Sequence, residues 1–140
     1  MAVRDFKDLL AWQQAMSLCK HIYGLAAKLP ADERFGLCSQ MRRSAVSVPS
    51  NIAEGHGRRS RGEYLQFIGH ARGSLGELET QVLLCREIGM VTIEEATPVL
   101  NHVQELKRIL DGLRNALAPS SPKRDPVNPD THPTTLTPNP

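Results

Sequence analysis

Aromatic residues are scarce in this 140-residue chain, at 4%, with one Trp, two Tyr and three Phe. A buried core must therefore be largely aliphatic. No apolar run approaches the ~18 residues that a membrane span requires, so no membrane partner is expected. The opening residues, from Met1 to Asp8, offer no apolar stretch that could form the centre of a signal peptide. The three cysteines, Cys19, Cys38 and Cys85, are odd in number and far apart, which excludes a disulfide framework and paired zinc-binding knuckles. Each falls in an apolar helical pattern and reads as a small core residue; the implied compartment is reducing, most simply the cytoplasm.

Motifs that carry chemistry are missing too. There is no phosphate-binding loop, no dinucleotide-binding glycine pattern and no His-Glu-x-x-His pair. His21, His56, His70, His102 and His132 are scattered over separate elements, and the Glu-x-x-His repeat of di-iron bundles does not occur. No metal, cofactor or enzymatic activity is expected.

Leu, Ala, Val and Ile at helical spacing are abundant. The length fits about one domain, and 40% apolar with 23% charged residues fits an ordinary globular chain. The net charge of +2 is unevenly spread. From Arg34 to Arg72, seven arginines face only Glu54 and Glu63, a surplus of +5 that leaves −3 for the remainder.

Four helices follow from the periodicity. The first is expected from about Phe6 to Lys28, with Leu9, Trp12, Met16, Cys19, Tyr23 and Ala26 on one face, ending at Leu29-Pro30. The second starts after Pro30 with Asp32 as N-cap and carries Leu37, Met41, Ala45, Val48 and Ile52. Pro49 removes the hydrogen bond to the Ala45 carbonyl, so a kink is expected there, with a glycine cap near Gly55 and Gly57. The third opens on a capping box, Ser60 with Glu63, carries Tyr64, Phe67 or Ile68, Ala71, Leu75, Leu78, Val82 and Cys85 as its apolar stripe, and ends at Gly89. The fourth opens on Thr92 with Glu95, or alternatively on Thr97 with Pro98. Leu100, Val103, Leu106 or Lys107, Leu110 and Leu113 carry it to about Leu117. The pattern predicts an all-α, antiparallel up-down-up-down four-helix bundle over residues 1–117. Residues 118–140 are expected to be a disordered Pro-rich tail, with seven prolines and only Val127 and Leu136 as aliphatics in 119–140.

Two features point beyond packing. Arg58, Arg59 and Arg61, beside the free N–H groups that open the third helix, can hold phosphate oxygens; the alternative is a solvated turn whose arginines pair with Glu54 and Glu63. Tyr64 alone could stack on a base in this stretch, so salt-sensitive backbone binding fits better than base reading. Small residues also line two helices: Ser44, Ser47, Ser50 and Asn51 on the second, and Gly69, Gly73, Ser74 and Gly76 on the third. Each interior glycine costs roughly 1 kcal/mol relative to alanine. Close approach of another helix, within the bundle or from another subunit, would compensate.

The run Gln40-Met41-Arg42-Arg43-Ser44-Ala45-Val46-Ser47-Val48-Pro49-Ser50-Asn51-Ile52-Ala53-Glu54-Gly55 resembles the 23S ribosomal RNA intervening-sequence protein family. So do Phe6–Leu9 with Ala11–Ala15, Glu33–Leu37, Gly57-Arg58 and Gly73–Gln81; the likeness covers about residues 6 to 115. It implies a four-helix bundle that assembles into a homopentamer, many family members being encoded within bacterial ribosomal RNA genes. The chain is also similar to the accessory variability determinant of diversity-generating retroelements. That likeness implies binding of ribosomal or other RNA or DNA, and work beside a reverse transcriptase. Arg42, Arg43, Arg58 and Arg59 fall on matching positions, with Arg61 beside them. Ser47, Pro49 and Asn51, with Gly69, Gly73 and Gly76, are the residues expected at subunit contacts or close helix packing.

Overall fold

Four amphipathic helices on short joints can hide their apolar faces only against one another. The computed structural model of the chain, which describes residues 5–118, has that arrangement. The helices are α1 (Leu10–Ala26), α2 (Leu37–His56), α3 (Arg61–Glu87) and α4 (Ile93–Leu117), with short 3-10 turns at Phe6–Asp8 and Ala31–Glu33 and no strand among the described residues. α1 packs on α2 and α4, α3 packs on α2 and α4, and α2 against α3 is the most extensive seam. Lys28 at the end of α1 pairs with Glu95 at the start of α4 at 2.9 Å, as antiparallel neighbours require. The expected bundle is the observed one; the Pro-rich tail lies outside the described residues.

The register of α1 differs from the expectation. Its buried residues are Ala11, Ala15, Leu18, Ile22, Leu25 and Ala26. Trp12 and Cys19 are half-buried, while Met16 and Tyr23 are 38% and 46% exposed. α1 serves two neighbours at once, and its small alanines let both approach, which leaves the bulkier stripe on the rim. Its start is also later. Phe6–Asp8 forms a separate turn capped by Asp5, whose carboxylate accepts from the Lys7 N–H at 2.9 Å. Leu9 is extended, which folds Phe6 back edge-on against Trp12 at 5.4 Å between ring centroids.

Asp32 is not the cap of α2. It lies in the Ala31–Glu33 turn, and Glu33 takes the role, its Oε2 accepting from the Leu37 N–H at 3.2 Å. Two other helix starts match their sequence signals to different degrees. Ser60 Oγ accepts from the Glu63 N–H at 3.1 Å, but the reciprocal bond of the expected box is not made. At Thr92 both halves form, which decides between the alternative starts of α4 and leaves Pro98 inside the helix. α3 stops at Gly89, whose φ of +77° only glycine adopts without strain. The Met90 N–H closes that cap by donating to the Cys85 carbonyl at 2.9 Å.

α2 continues through Pro49. Proline has no N–H, so the Ala45 carbonyl loses its partner within the helix. The Cys19 thiol of α1 donates to that carbonyl at 3.1 Å. Burial pushes the Cys19 thiol up to about 11, which keeps it protonated and able to donate. The adjoining carbonyls are engaged as well, that of Val46 by Ser50 Oγ at 2.7 Å and that of Ser47 by Asn51 Nδ2 at 2.8 Å. Cys38 donates to the Ala26 carbonyl at 3.2 Å, and Cys85 sits buried beside Met41; all three thiols are free, Cys38 and Cys85 buried and Cys19 half-buried.

Leaving a shielded carbonyl unpaired costs about 1–3 kcal/mol. Cys19→Ala is therefore expected to lower stability by about 1–2 kcal/mol in urea titration. In a Pro49→Ala background residue 49 regains an N–H for Ala45, and the same change is expected to cost less, by at least about 0.5 kcal/mol. Equal costs in the two backgrounds would show that the thiol bond contributes nothing.

Candidate nucleic-acid interface

The turn Gly57–Ser60 joins the end of α2 to the start of α3, which places three arginines at one end of the bundle. They are not equivalent. Arg58 is committed: its Nη2 lies 2.5 Å from Glu54 Oε1, and its guanidinium sits 4.6 Å from the centre of the Phe67 ring. Arg59 and Arg61 are exposed and form no ion pair among the described residues. Both flank Ser60, whose hydroxyl is taken by the Glu63 N–H, beside the positive end of the α3 dipole. Two free guanidiniums next to a helix N-terminus can hold phosphate oxygens.

Arg42 and Arg43 do not join this cluster. They lie on α2, fourteen and thirteen residues before its last residue, His56, about 20 Å along the axis at 1.5 Å per residue. Arg42 spreads over the Tyr23 ring at 5.2 Å, with its Nε buried and without a hydrogen-bond partner. Arg43 touches Ser39 Oγ at 3.4 Å and edges an open groove of about 540 Å3 between α2 and α3. Arg72, counted in the basic surplus of the sequence, is neutralised across α3 and α4 by Asp111 at 3.0 Å, and the same contact holds the Asp111 carboxyl below its ordinary range. The expected surface is thus two patches along α2.

The small residues divide in the same way. Ser47 Oγ and Ser74 Oγ share a hydrogen bond of 2.8 Å, Ser44 Oγ donates to Glu77 Oε2 at 3.1 Å, and Asn51 Nδ2 reaches Ser47 Oγ at 2.9 Å. These polar side chains close the α2–α3 seam beside the buried Pro49. Gly69 is 3.8 Å from an Arg114 nitrogen at the point where a Cβ would stand, and Gly73 and Gly76 face nothing within 4 Å. No helix of the same chain presses on those two. With Thr80 and the exposed Leu84 they follow one stripe of α3 at spacings of 3, 4 and 4.

Two placements escaped the sequence reading. Gly55, read there as a cap, is a contact glycine: a Cβ would lie 2.8 Å from Phe67 Cβ and 3.2 Å from Tyr64 Cδ1. Its position three residues after the buried Ile52, on the same stripe, was the available signal. His21 and His102, apparently scattered, meet across α1 and α4 with ring centroids 5.9 Å apart, and His102 Nε2 bonds Gln14 Oε1 at 3.2 Å. Burial, then the neighbouring His21, hold His102 below its ordinary pKa. No third ligand completes a metal site there; among the described residues no group of three His, Cys, Asp or Glu converges.

The model of the 23S rRNA-intervening sequence protein family matches residues 7–112. A crystal structure of a protein of unknown function from the S23 ribosomal protein family of Bacteroides thetaiotaomicron superposes with a TM-score of 0.70 at 21% identity, over 75% of this chain and 98% of that one. At that identity the likeness speaks for the fold. No curated protein matches the sequence.

The glycines separate by environment, and so should their substitutions. Gly55→Ala forces a clash in the α2–α3 seam and is expected to cost about 1–3 kcal/mol. Gly73→Ala and Gly76→Ala gain helix propensity in open space and are expected to stabilise the isolated chain by up to about 1 kcal/mol each. Thermal melts of the three variants check this, and a destabilising Gly73→Ala in a monomeric sample would contradict the placement.

Proposed function

We propose a function from one premise: the chain belongs to the 23S rRNA-intervening sequence protein family. Copies of it assemble into a homo-oligomer, a pentamer by the family resemblance, and the assembly binds the backbone of structured ribosomal or other RNA, or DNA, at the turn between α2 and α3. Binding without catalysis is the activity. The observation that carries this reading is the pair Arg59 and Arg61, exposed, without a carboxylate partner among the described residues and beside the start of α3. A ring of such turns multiplies phosphate contacts that are individually weak. The open stripe of Gly73, Gly76 and Leu84 supports a neighbouring subunit on α3. No described helix is long and apolar enough to cross a membrane, and three free thiols favour a reducing, cytoplasmic setting. A reverse transcriptase is a fitting protein partner, since such an enzyme works on a backbone of this kind.

The second reading is an interaction scaffold that binds no nucleic acid, and Arg58 favours it. That residue's bond to Glu54 and its stacking on Phe67 give it a structural task, worth about 0.3–0.5 kcal/mol for an exposed pair one turn apart.

The two readings part on substitution. Arg59→Glu with Arg61→Glu is expected to weaken binding to structured RNA in gel-shift titrations and to reduce the salt slope by about 0.9 for each lost phosphate contact. Arg58→Ala is expected to lower stability more than affinity. Unchanged affinity in the double variant would remove the turn from any binding surface.

A further inference from the structure

On the outer side of α1 and α2, Trp12, Met16 and Cys19 face Val46, Pro49 and Ala53 across a groove of about 340 Å3. The only hydroxyl on its wall, that of Ser50, is turned to the Val46 carbonyl at 2.7 Å. What remains is almost wholly apolar, and Met16 and Val46 on its walls are 38% and 44% exposed. A concavity of this kind suits an apolar segment that brings few polar groups of its own.

The chain itself supplies one. α4 runs antiparallel to α1, so Ala118 leaves the bundle at the end where α1 begins and α2 finishes, the end at which Trp12 and Ala53 stand. Twenty-two residues follow, 119–140. At the ~3.1 Å per residue of a proline-rich chain they reach up to about 68 Å. Crossing from α4 past α1 to the far seam takes about 20 Å, two interaxial spacings of 8–10 Å. Some seven residues would cover the crossing, and the next stretch with apolar side chains, interrupted only by Asn128, is Pro126-Val127-Asn128-Pro129. Its four residues span about 12 Å, close to the ~10 Å from Trp12 to Cys19 along α1. On such a route Lys123 and Arg124, with Asp125 after them, would pass the exposed carboxylate of Asp8 at the same end, a net positive charge of one meeting a negative one. Proline segments dock into apolar grooves with an aromatic wall because little backbone freedom is left to lose.

We propose that the Pro126–Pro129 segment of this chain occupies the α1–α2 groove, with Val127 against Trp12 and Met16. The segment lies beyond the family match, so this cover is an addition to the shared bundle and independent of the nucleic-acid reading.

Trp12 is the only tryptophan of the chain and stands in the groove, so its fluorescence reports the occupant directly. In the full chain, Val127→Asp is expected to shift Trp12 emission to the red and expose it to acrylamide quenching, without changing the helical circular dichroism. Val46→Asp, which alters the groove instead, is expected to give the same loss of protection with the segment intact, whereas Leu136→Asp leaves emission unchanged. The proposal is overturned if Trp12 in the Val127→Asp chain stays as it is in the parent. It is equally overturned if protection depends on protein concentration and not on residue 127, because the cover is then a second copy.

Discussion

α2 has to pass a proline without losing its course, and the rest of the bundle depends on how it does so. Pro49 deprives the Ala45 carbonyl of its partner, and the thiol of Cys19 on α1 replaces it at 3.1 Å. That contact ties α1 to α2 at the weakest turn of the helix. Two residues before Pro49, Ser47 shares a hydrogen bond with Ser74 across the α2–α3 seam, braced by Asn51 Nδ2, which donates to Ser47 Oγ, and further on Gly55 lets Tyr64 and Phe67 close in. The last residues of α2 are thereby fixed against α3, and with them the geometry of the arginine turn. A helix that went its own way after Pro49 would carry the turn with it.

Charge follows from the same framework. Among seven arginines between Arg34 and Arg72, the fold commits some and frees others. Arg72 and Arg58 are satisfied by Asp111 and Glu54, and Arg42 lies over Tyr23. Arg59 and Arg61 keep their charge at the surface, where counterion release makes positive side chains useful to a polyanion partner. Gly73 and Gly76 are costly in a helix and meet nothing within 4 Å among the described residues, which is what supports the proposed neighbouring subunit on α3.

Much of this was legible from residues alone. The stripe of α3 from Ala71 to Cys85 stands at strict helical spacing and is buried as read, whereas the choice between Phe67 and Ile68 was open in the sequence and the fold buries Ile68, leaving Tyr64 and Phe67 half-buried. The register of α1 was hidden, because Ala11 and Ala15 are weakly apolar beside Trp12 and Met16; size pointed to the wrong stripe, and close approach of two neighbours decided for the alanines. The capping box at Thr92, one of two starts the sequence offered for α4, forms in full, the box at Ser60 forms only by half, and Asp32 was misread, because the chain turns once more before α2 begins. For the candidate site, the sequence identified the arginines but not their division. Pairing with Asp111, thirty-nine residues from Arg72, and the meeting of His21 with His102 depend on which helices become neighbours. The free thiol bond at Ala45 could be anticipated from Pro49 only as a missing partner, not as Cys19.

The central claim is that an oligomer of this bundle holds a nucleic-acid backbone at its arginine turns. Light scattering coupled to size exclusion, on the full chain with and without a structured ribosomal RNA fragment, tests it most directly. The expected result is a mass several times the 15.5 kDa of one chain, which rises further with RNA at low salt and loses the RNA, but not the subunits, at high salt. A 15.5 kDa species that ignores RNA at every salt concentration would contradict both halves of the claim.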